Sequence, residues 1–191
     1  AGVSFGHGTL NALDEAAWLV LWQLGLPLDT PLDTPLDANI ESADSNNIYI
    51  QNQPVSLVDI AKIATLFESR ITTRKPAAYL TQEAWLQGVP FYIDERAIVP
   101  RSQIAQLLAD GSFDDWLGPH TQQVLDMCTG NGSLAVLAAM TYPETHVTGA
   151  DISIDALAVA HINVVKHHMQ NHISLIESNG WNALQGQVFD L

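Results

Sequence analysis

The chain has 191 residues, 47% of them hydrophobic, and carries 21 acidic residues against 7 Lys and Arg. This composition supports a folded core and excludes an intrinsically disordered chain. The net charge of −14 argues against DNA binding and favours a basic partner. No apolar run reaches the ~18–20 residues of a membrane span, and the N-terminus lacks the basic-then-apolar order of a secretory signal. The single cysteine, Cys128, excludes an internal disulfide and predicts a reducing, cytoplasmic location.

Residues 1–82 predict a helical domain. The stretch 14–26 begins with acidic residues, is rich in Ala, Leu and Trp, and ends before a proline, which is typical of a helix. Trp18, Leu21 and Trp22 fall on one face of that helix. We interpret this face as core packing rather than as a ligand site built on tryptophan.

Residues 27–52 predict an acidic linker that contains prolines. A Pro-Leu-Asp repeat starts at Pro27 with a period of four, and each proline fixes φ and removes an amide donor. We favour a plain spacer over a proline-motif docking site. A second helix begins near Ser56, where Ser56 and Asp59 resemble a capping box. Apolar residues follow at helical spacing: Ile60, Ile63, Ala64, Phe67 and Ile71.

Residues 83–100 predict a β-hairpin that connects the helical domain to the rest of the chain. Aromatic and branched residues stand on both sides of a predicted turn at 87–90. Ser102 is placed to cap a further helix that runs through Leu108.

Short apolar strands alternate with helices from Val124 onwards. The predicted strands are Val124–Met127, His146–Ala150 and Ile173–Ile176, the predicted helices are Ser133–Met140 and Asp155–His168, and Val188–Leu191 begins a further strand. Alternation of this kind requires parallel pairing with right-handed crossovers. Residues 101–191 therefore predict the first half of an open α/β sheet.

The turn between the first of these strands and its helix carries the chemistry. Gly130 and Gly132 allow the backbone to turn tightly and to approach a ligand, and the helix start offers amides and a positive dipole end. Asp151, at the tip of the next strand, can accept hydrogen bonds from both ribose hydroxyls of an adenosine-containing ligand. The alternative is an ordinary strand-to-helix turn, but the strand, glycines, helix and distal acid fall in register.

Two ligand classes compete for this turn. Gly130-x-Gly132-x-x-Ala135 is compatible with the dinucleotide fingerprint, and therefore with an NAD-dependent oxidoreductase. Asp126, however, ends the preceding strand, where a carboxylate repels a pyrophosphate and attracts an ammonium group. S-adenosylmethionine has an adenosine and an ammonium but no phosphate. The sequence therefore favours this methyl donor over NAD.

Several motifs together resemble the class I methyltransferases that modify protein glutamine, whose sheets are Rossmann-like. Asp126–Ser133 is similar to the first motif of that family. The segments that resemble the branch acting on a large-subunit ribosomal protein are Phe5–Thr9, Asp14–Ala17, Arg74–Trp85 and Phe91–Ser102. The sister enzymes that act on translation release factors match these upstream segments less well, and they remain an alternative.

The resemblance implies that the helical domain selects a ribosomal protein and that the sheet binds S-adenosylmethionine. The implied donor-binding residues are Asp126, Cys128, Thr129, Gly130, Asn131, Gly132, Asp151 and Asn179. Asn179 stands where the family usually has an Asp that accepts from the adenine amine. Its amide oxygen still accepts a hydrogen bond, but the charge is gone, so we expect weaker donor binding.

The family holds its substrate glutamine with an Asn-Pro-Pro-Tyr motif after the fourth strand, and these 191 residues do not contain it. Phe189–Leu191 matches the approach to that motif. We therefore expect this chain alone to transfer no methyl group, and a non-catalytic binding module remains an alternative.

Three further features receive less weight. Cys128 has no partner base in the sequence, which favours packing over a nucleophile. His161, His168 and His172 have helical spacing, but no ligand completes a metal site, and we favour a solvated helix end. A cluster of basic residues either contacts ribosomal RNA or is ordinary solvated charge: Arg70, Arg74, Lys75, Arg96 and Arg101.

Overall fold

The computed structural model describes residues 11–28, 30, 55–115, 117 and 120–191. The motif Phe5–Thr9 and most of the Pro-Leu-Asp repeat lie outside the described residues. The chain divides into two compact units, the first ending at Thr81 and the second beginning at Gln82. Across the described ranges, no helix combines the length and the apolar character that a membrane crossing needs.

The first unit contains three helices: α1 (Ala12–Gln23), α2 (Leu57–Thr73) and α3 (Ala77–Thr81). Asn11 caps α1, because its side-chain oxygen accepts the amide hydrogens of the second and third helical residues. Ser56 caps α2, as the sequence predicts, and its hydroxyl oxygen accepts the Asp59 N–H at 3.1 Å. Side-chain caps therefore set the start of both long helices.

A buried ion pair joins α1 to α2. The Arg70 guanidinium donates from Nε to Oε1 of Glu15 at 2.6 Å and from Nη2 to Oε2 at 3.2 Å. Only 11% of the arginine side chain and 12% of the glutamate side chain are exposed. A bidentate pair of this kind is strongly directional. It therefore fixes which face of α2 lies against α1.

The predicted apolar faces of these helices are only partly buried. Ile60 is 50% exposed and Ile71 is 74% exposed within the part of the chain that the structure describes, whereas Arg70 is buried. On α1, Leu21 is buried as predicted, but the second buried residue is Leu19 rather than a tryptophan. The helical period of apolar residues alone cannot predict that a charged residue is buried between two helices, because that depends on an oppositely charged partner on the other helix.

In the second unit, β1 (Glu83–Leu86) and β2 (Val89–Tyr92) form the predicted hairpin. The turn is shorter than the predicted four residues. It consists of Gln87 and Gly88, which both have positive φ, at 50° and 74°. Two such residues form the kind of turn whose twist matches that of the flanking strands. Val89 and Pro90 therefore belong to β2.

A parallel sheet forms the rest of the second unit, and the predicted α/β class is confirmed. The elements after the hairpin are α4 (Ile104–Ala109), β3 (Gln123–Met127), α5 (Ser133–Thr141), β4 (His146–Asp151), α6 (Ile154–Lys166), β5 (Ile173–Glu177) and a 3-10 helix (Asn182–Leu184). The strand order is β3-β4-β5. Buried alanine and valine side chains of α5 contribute much of the core.

Two smaller predictions concern the ends of this unit. The Ser102 hydroxyl oxygen accepts the Ile104 N–H at 3.2 Å, so it supports the start of α4. Val188–Leu191 is not a regular strand, but it lies beside β3: the Asp190 N–H donates to the Gln123 carbonyl, and the Leu191 carbonyl accepts from Leu125, both at 2.8 Å. The segment therefore occupies the edge of β3 that β4 leaves open.

The buried ion pair leads to a stability prediction. We expect Glu15→Gln to lower the free energy of unfolding by about 2–3 kcal/mol, because it leaves the buried Arg70 charge without its counter-charge. Glu68→Gln, at an exposed position on α2, is the matched control and should change that free energy by less than about 0.5 kcal/mol. Urea denaturation measures both variants, and equal effects would show that the pair does not hold α1 to α2.

Candidate functional site

A loop between β3 and α5 forms the centre of the site. Three of its residues have positive φ: Cys128 at 61°, Gly130 at 55° and Gly132 at 77°. The Thr129 N–H donates to the Ala150 carbonyl at 3.0 Å, and the Gly132 N–H donates to the Thr129 carbonyl at 2.8 Å. The loop therefore turns back over the end of β4. Cys128 is exposed at its tip.

Asp151 holds this loop from the end of β4. Its Oδ2 accepts the Gly130 N–H at 2.8 Å, and its Oδ1 accepts the Ser153 N–H at 2.9 Å. Each carboxylate oxygen can accept a second hydrogen bond. Backbone amides therefore orient Asp151, and its carboxylate can still accept hydrogen bonds from two ribose hydroxyls, as the sequence predicts.

Asp126 lies beneath the loop at the end of β3. Its Oδ2 accepts the Thr129 hydroxyl at 2.6 Å and the Ala135 N–H of α5 at 3.0 Å. Burial raises the pKa of this carboxyl above its usual value; the two hydrogen bonds oppose the rise, and the nearby Asp151 charge adds to it. Its Oδ1 accepts no hydrogen bond within the described part of the chain and remains available to a cationic ligand.

Asn131 contributes an unusual polar group to the loop. The side chain is buried, and its Oδ1 accepts the Ser133 N–H at 3.3 Å. Its Nδ2 has no hydrogen-bond partner among the described residues. A buried amide without a partner is rare in folded proteins, and a bound ligand or a water molecule normally satisfies it.

The glycines of the site permit close packing as well as a tight turn. A Cβ on Gly132 would lie 3.0 Å from the Cβ and 3.2 Å from the Cα of Ala160, so α6 requires a glycine there. A Cβ on Gly149, in β4, would lie 2.9 Å from Leu175 and 3.1 Å from the Thr129 hydroxyl. Bare backbone at these two positions lets the loop lie against the sheet and α6.

Asn179 follows β5, next to the end of β4. The preceding Ser178 donates its N–H to the Asp151 carbonyl at 2.8 Å, and its hydroxyl oxygen accepts the Ala183 N–H at 3.0 Å. Asn179 itself is exposed. The register also aligns the strand ends, because Asp151 stands opposite Glu177. Sequence-predicted residues from three strand ends therefore lie along one edge of the sheet.

Sequence reasoning missed Asn163, the polar member of the buried face of α6. It is fully buried, and its Nδ2 donates to the Asn131 carbonyl at 2.8 Å. A signal was present, because the other buried residues of α6 are alanine and valine. An amide on such a face indicates a specific partner.

Two of the five basic residues that the sequence singled out are paired with carboxylates. Arg70 is buried against Glu15 within the first unit. Arg96 donates to Oδ2 of Asp94 at 2.6 Å, and this pairing lowers the Asp94 pKa to about 2. A ribosomal RNA contact is therefore not supported.

The histidine series does not occupy one helix, because α6 ends at Lys166 and only His161 lies within it. No group of three potential metal ligands occurs among the described residues.

The charge of the site favours a cationic ligand over a phosphorylated one. Two carboxylates, Asp126 and Asp151, lie close enough for one to raise the pKa of the other. Between residues 122 and 191 the sequence has one Lys and no Arg. This Lys166 is the last residue of α6, whereas the loop precedes the start of α5. A pyrophosphate would meet two negative groups, and the loop and the strand ends beside it carry no Lys or Arg in their sequence.

Comparisons with known proteins agree with this chemistry. Residues 106–191 match the family described as "Methyltransferase small domain". The ribosomal protein uL3 glutamine methyltransferase of Bordetella pertussis is 42% identical over 193 residues, which cover 100% of this chain and 59% of that protein. The protein of the same name from Burkholderia pseudomallei is 44% identical over 181 residues, covering 92% of this chain and 52% of that protein.

This chain is a homologue of the ribosomal protein uL3 glutamine methyltransferases. The resemblance predicted from the motifs is thereby confirmed, and the chain spans 59% and 52% of the length of these two relatives. Among solved structures, an O-methyltransferase family protein from Burkholderia thailandensis has a TM-score of 0.33 at 18% identity, covering 41% of this chain and 25% of that one.

The packing of Gly132 against α6 leads to a second prediction. Gly132→Ala should lower the free energy of unfolding by about 2–4 kcal/mol, because it adds both a strained φ and an overlap with Ala160. Gly186→Ala is the matched control: its φ of 81° is similar, but nothing lies within 4 Å of the added Cβ. We expect about 1 kcal/mol there. Equal losses in thermal denaturation would exclude the overlap as a cause.

The raised pKa of Asp126 leads to a third prediction. Its folded-state pKa exceeds the unfolded value, so protonated Asp126 favours the fold and this contribution is lost as pH rises through the folded pKa. Asp126→Asn removes the buried charge, and the variant should be more stable than the wild type at pH 7. The advantage should shrink as pH falls towards 4.

Denaturant titrations at the two pH values measure this difference. Asp155→Asn alters the net charge equally at an exposed position in the first turn of α6 and controls for it. A wild type that is more stable than Asp126→Asn at pH 7 would contradict the assigned cost of burial.

Proposed function

We propose that the protein to which this chain belongs transfers a methyl group from S-adenosylmethionine to the side-chain amide nitrogen of a glutamine in ribosomal protein uL3. The observation that carries the proposal is the 42% identity over the whole chain with a relative of that name. The site supports it, because two carboxylates on a loop and strand ends whose sequence holds no Lys or Arg suit a ligand that bears an ammonium group and no phosphate.

The residues present fit the donor in specific roles. The free Oδ1 of Asp126 accepts from the donor's ammonium, while Oδ2 stays fixed by Thr129 and Ala135. Asp151 accepts the ribose hydroxyls, and Asn179 accepts from the adenine amine. The unpaired Nδ2 of Asn131 donates a further hydrogen bond to the ligand. Cys128, Gly130 and Gly132 shape the backbone around the ligand.

When bound, the donor supplies an electrophilic methyl on a positively charged sulfur. A glutamine amide is a weak nucleophile, so the protein contributes mainly by holding the amide nitrogen in line with that methyl. The loop contributes by fixing the donor, and the loop itself is held to the end of β4 by hydrogen bonds to Asp151 and to the Ala150 carbonyl. Fixed carboxylates need no reorientation as the ligand binds.

The partner and the location follow from the same proposal. Ribosomal proteins are basic, and a net charge of −14 favours their approach. A ribosomal substrate places the protein in the cytoplasm, and the helical first unit recognises that substrate.

A binding experiment tests the donor. Isothermal titration of the protein with S-adenosylmethionine should give saturable binding, and titration with NAD should give none at the same concentrations. Asp126→Asn should weaken donor binding about tenfold, the loss of one charge-assisted hydrogen bond. Tight binding of NAD with no uptake of S-adenosylmethionine would overturn the proposal and support an oxidoreductase.

A methylation experiment tests the substrate. The full-length product of the gene should place one methyl group on a glutamine of purified uL3, detected by peptide mass spectrometry. A translation release factor serves as the competing substrate in parallel reactions. Methylation of the release factor alone would assign the protein to the sister branch, and methylation of neither would support a non-catalytic binding module.

A further inference from the structure

Asn163 is fully buried on α6 and makes three hydrogen bonds, all to backbone groups. Its Oδ1 accepts the Tyr92 N–H at 2.7 Å, and its Nδ2 donates to the Tyr92 carbonyl at 2.9 Å and to the Asn131 carbonyl at 2.8 Å. Both amide hydrogens and the oxygen are therefore used. A buried side chain that is satisfied this completely is rigid.

Two of these bonds fix the hairpin. Tyr92 stands opposite Glu83 in the ladder, and its N–H and C=O both bind Asn163, so they face away from β1. The amide of Asn163 thus takes the place of a neighbouring strand along the outer edge of β2. At the C-cap that follows α6, Nε2 of His167 lies 3.0 Å from the Pro90 carbonyl on the same edge.

The third bond fixes the loop of the site. Holding the Asn131 carbonyl sets the peptide plane between Asn131 and Gly132, whose N–H then reaches the Thr129 carbonyl at 2.8 Å. Asn131 is only 3% exposed, so its carbonyl would lack a partner without Asn163 and the loop would have to shift towards water. His167 has no such bond: its partners lie in the hairpin.

We propose that Asn163 is a positioning residue for the methyl donor: it clamps the glycine loop and the edge of the hairpin together, so that the donor meets a loop already in its bound shape. The proposal rests on the proposed function. Asn163 does not touch the reacting atoms. It acts through the Asn131 backbone, and its effect falls on donor affinity rather than on the transfer step.

Variants of α6 test this role. Asn163→Asp keeps the acceptor for the Tyr92 N–H but removes both side-chain N–H groups at neutral pH. The dissociation constant of S-adenosylmethionine should therefore rise at least about tenfold. His167→Gln and Val164→Ala are controls. The first alters the hairpin contact, and the second removes core volume beside Asn163. Both should leave that constant within about twofold when titrated at a temperature where each variant is folded.

Steady-state kinetics separate positioning from general loss of structure. In Asn163→Asp of the full-length gene product, KM for the donor should rise about tenfold while kcat at saturating donor and KM for uL3 stay within about twofold. A fall in kcat with an unchanged donor KM, or equal changes in the two controls, would overturn the proposal. Wild-type protein that binds no donor would instead overturn the proposed function on which it rests.

A measurement on the wild type keeps the proposal testable if Asn163→Asp does not fold. Donor binding should slow hydrogen exchange of the Tyr92 N–H, which donates to Asn163, by at least about fivefold more than that of the Phe91 N–H, which faces β1. Equal protection of the two amides would show that the clamp does not link the loop to the hairpin.

Discussion

A hydrogen bond of 2.8 Å from the Gly130 amide to Oδ2 of Asp151 connects the two strand ends on which the site depends. Gly130 follows β3, and Asp151 ends the neighbouring strand β4. Parallel pairing brings both to the same edge, and the bond converts that proximity into a fixed loop. The Thr129 amide also binds β4, so the sheet holds the loop at two points.

The same geometry determines which ligands the site can accept. A buried carboxylate with a raised pKa is costly to keep ionised, and a second carboxylate nearby increases that cost. A ligand with a positive charge offsets it, whereas a phosphate adds to it. The preference for S-adenosylmethionine over NAD that we propose therefore rests on the electrostatics around Asp126, and the glycine pattern by itself would not distinguish the two.

The outer edge of β2 in the hairpin is covered by polar side chains. An uncovered strand edge offers unpaired amides and carbonyls to other chains. Here two polar side chains cover the outer edge of β2: Asn163 of α6 and His167, the C-cap residue that follows this helix. Pro90 fits this edge strand, because its missing N–H lies on the side away from β1. Cover for the strand and support for the loop thus come from the same helix.

Local patterns predicted much of this protein. The hydrophobic alternation gave the order of strands and helices, the Ser56 cap gave the start of α2, and the glycine turn with Asp151 gave the centre of the site. The alternation and the cap depend on residues within a few positions of one another, and Asp151 follows Gly130 by a single helix-and-strand unit of 21 residues. Tertiary structure decided the rest. Arg70 takes the inner face of α2 because it pairs there with Glu15, which is 55 residues away in the sequence. Asn163 binds Tyr92 and Asn131, which are 71 and 32 residues away. No local period records such partners, because a buried polar group is stable only where distant backbone or charge completes its hydrogen bonds.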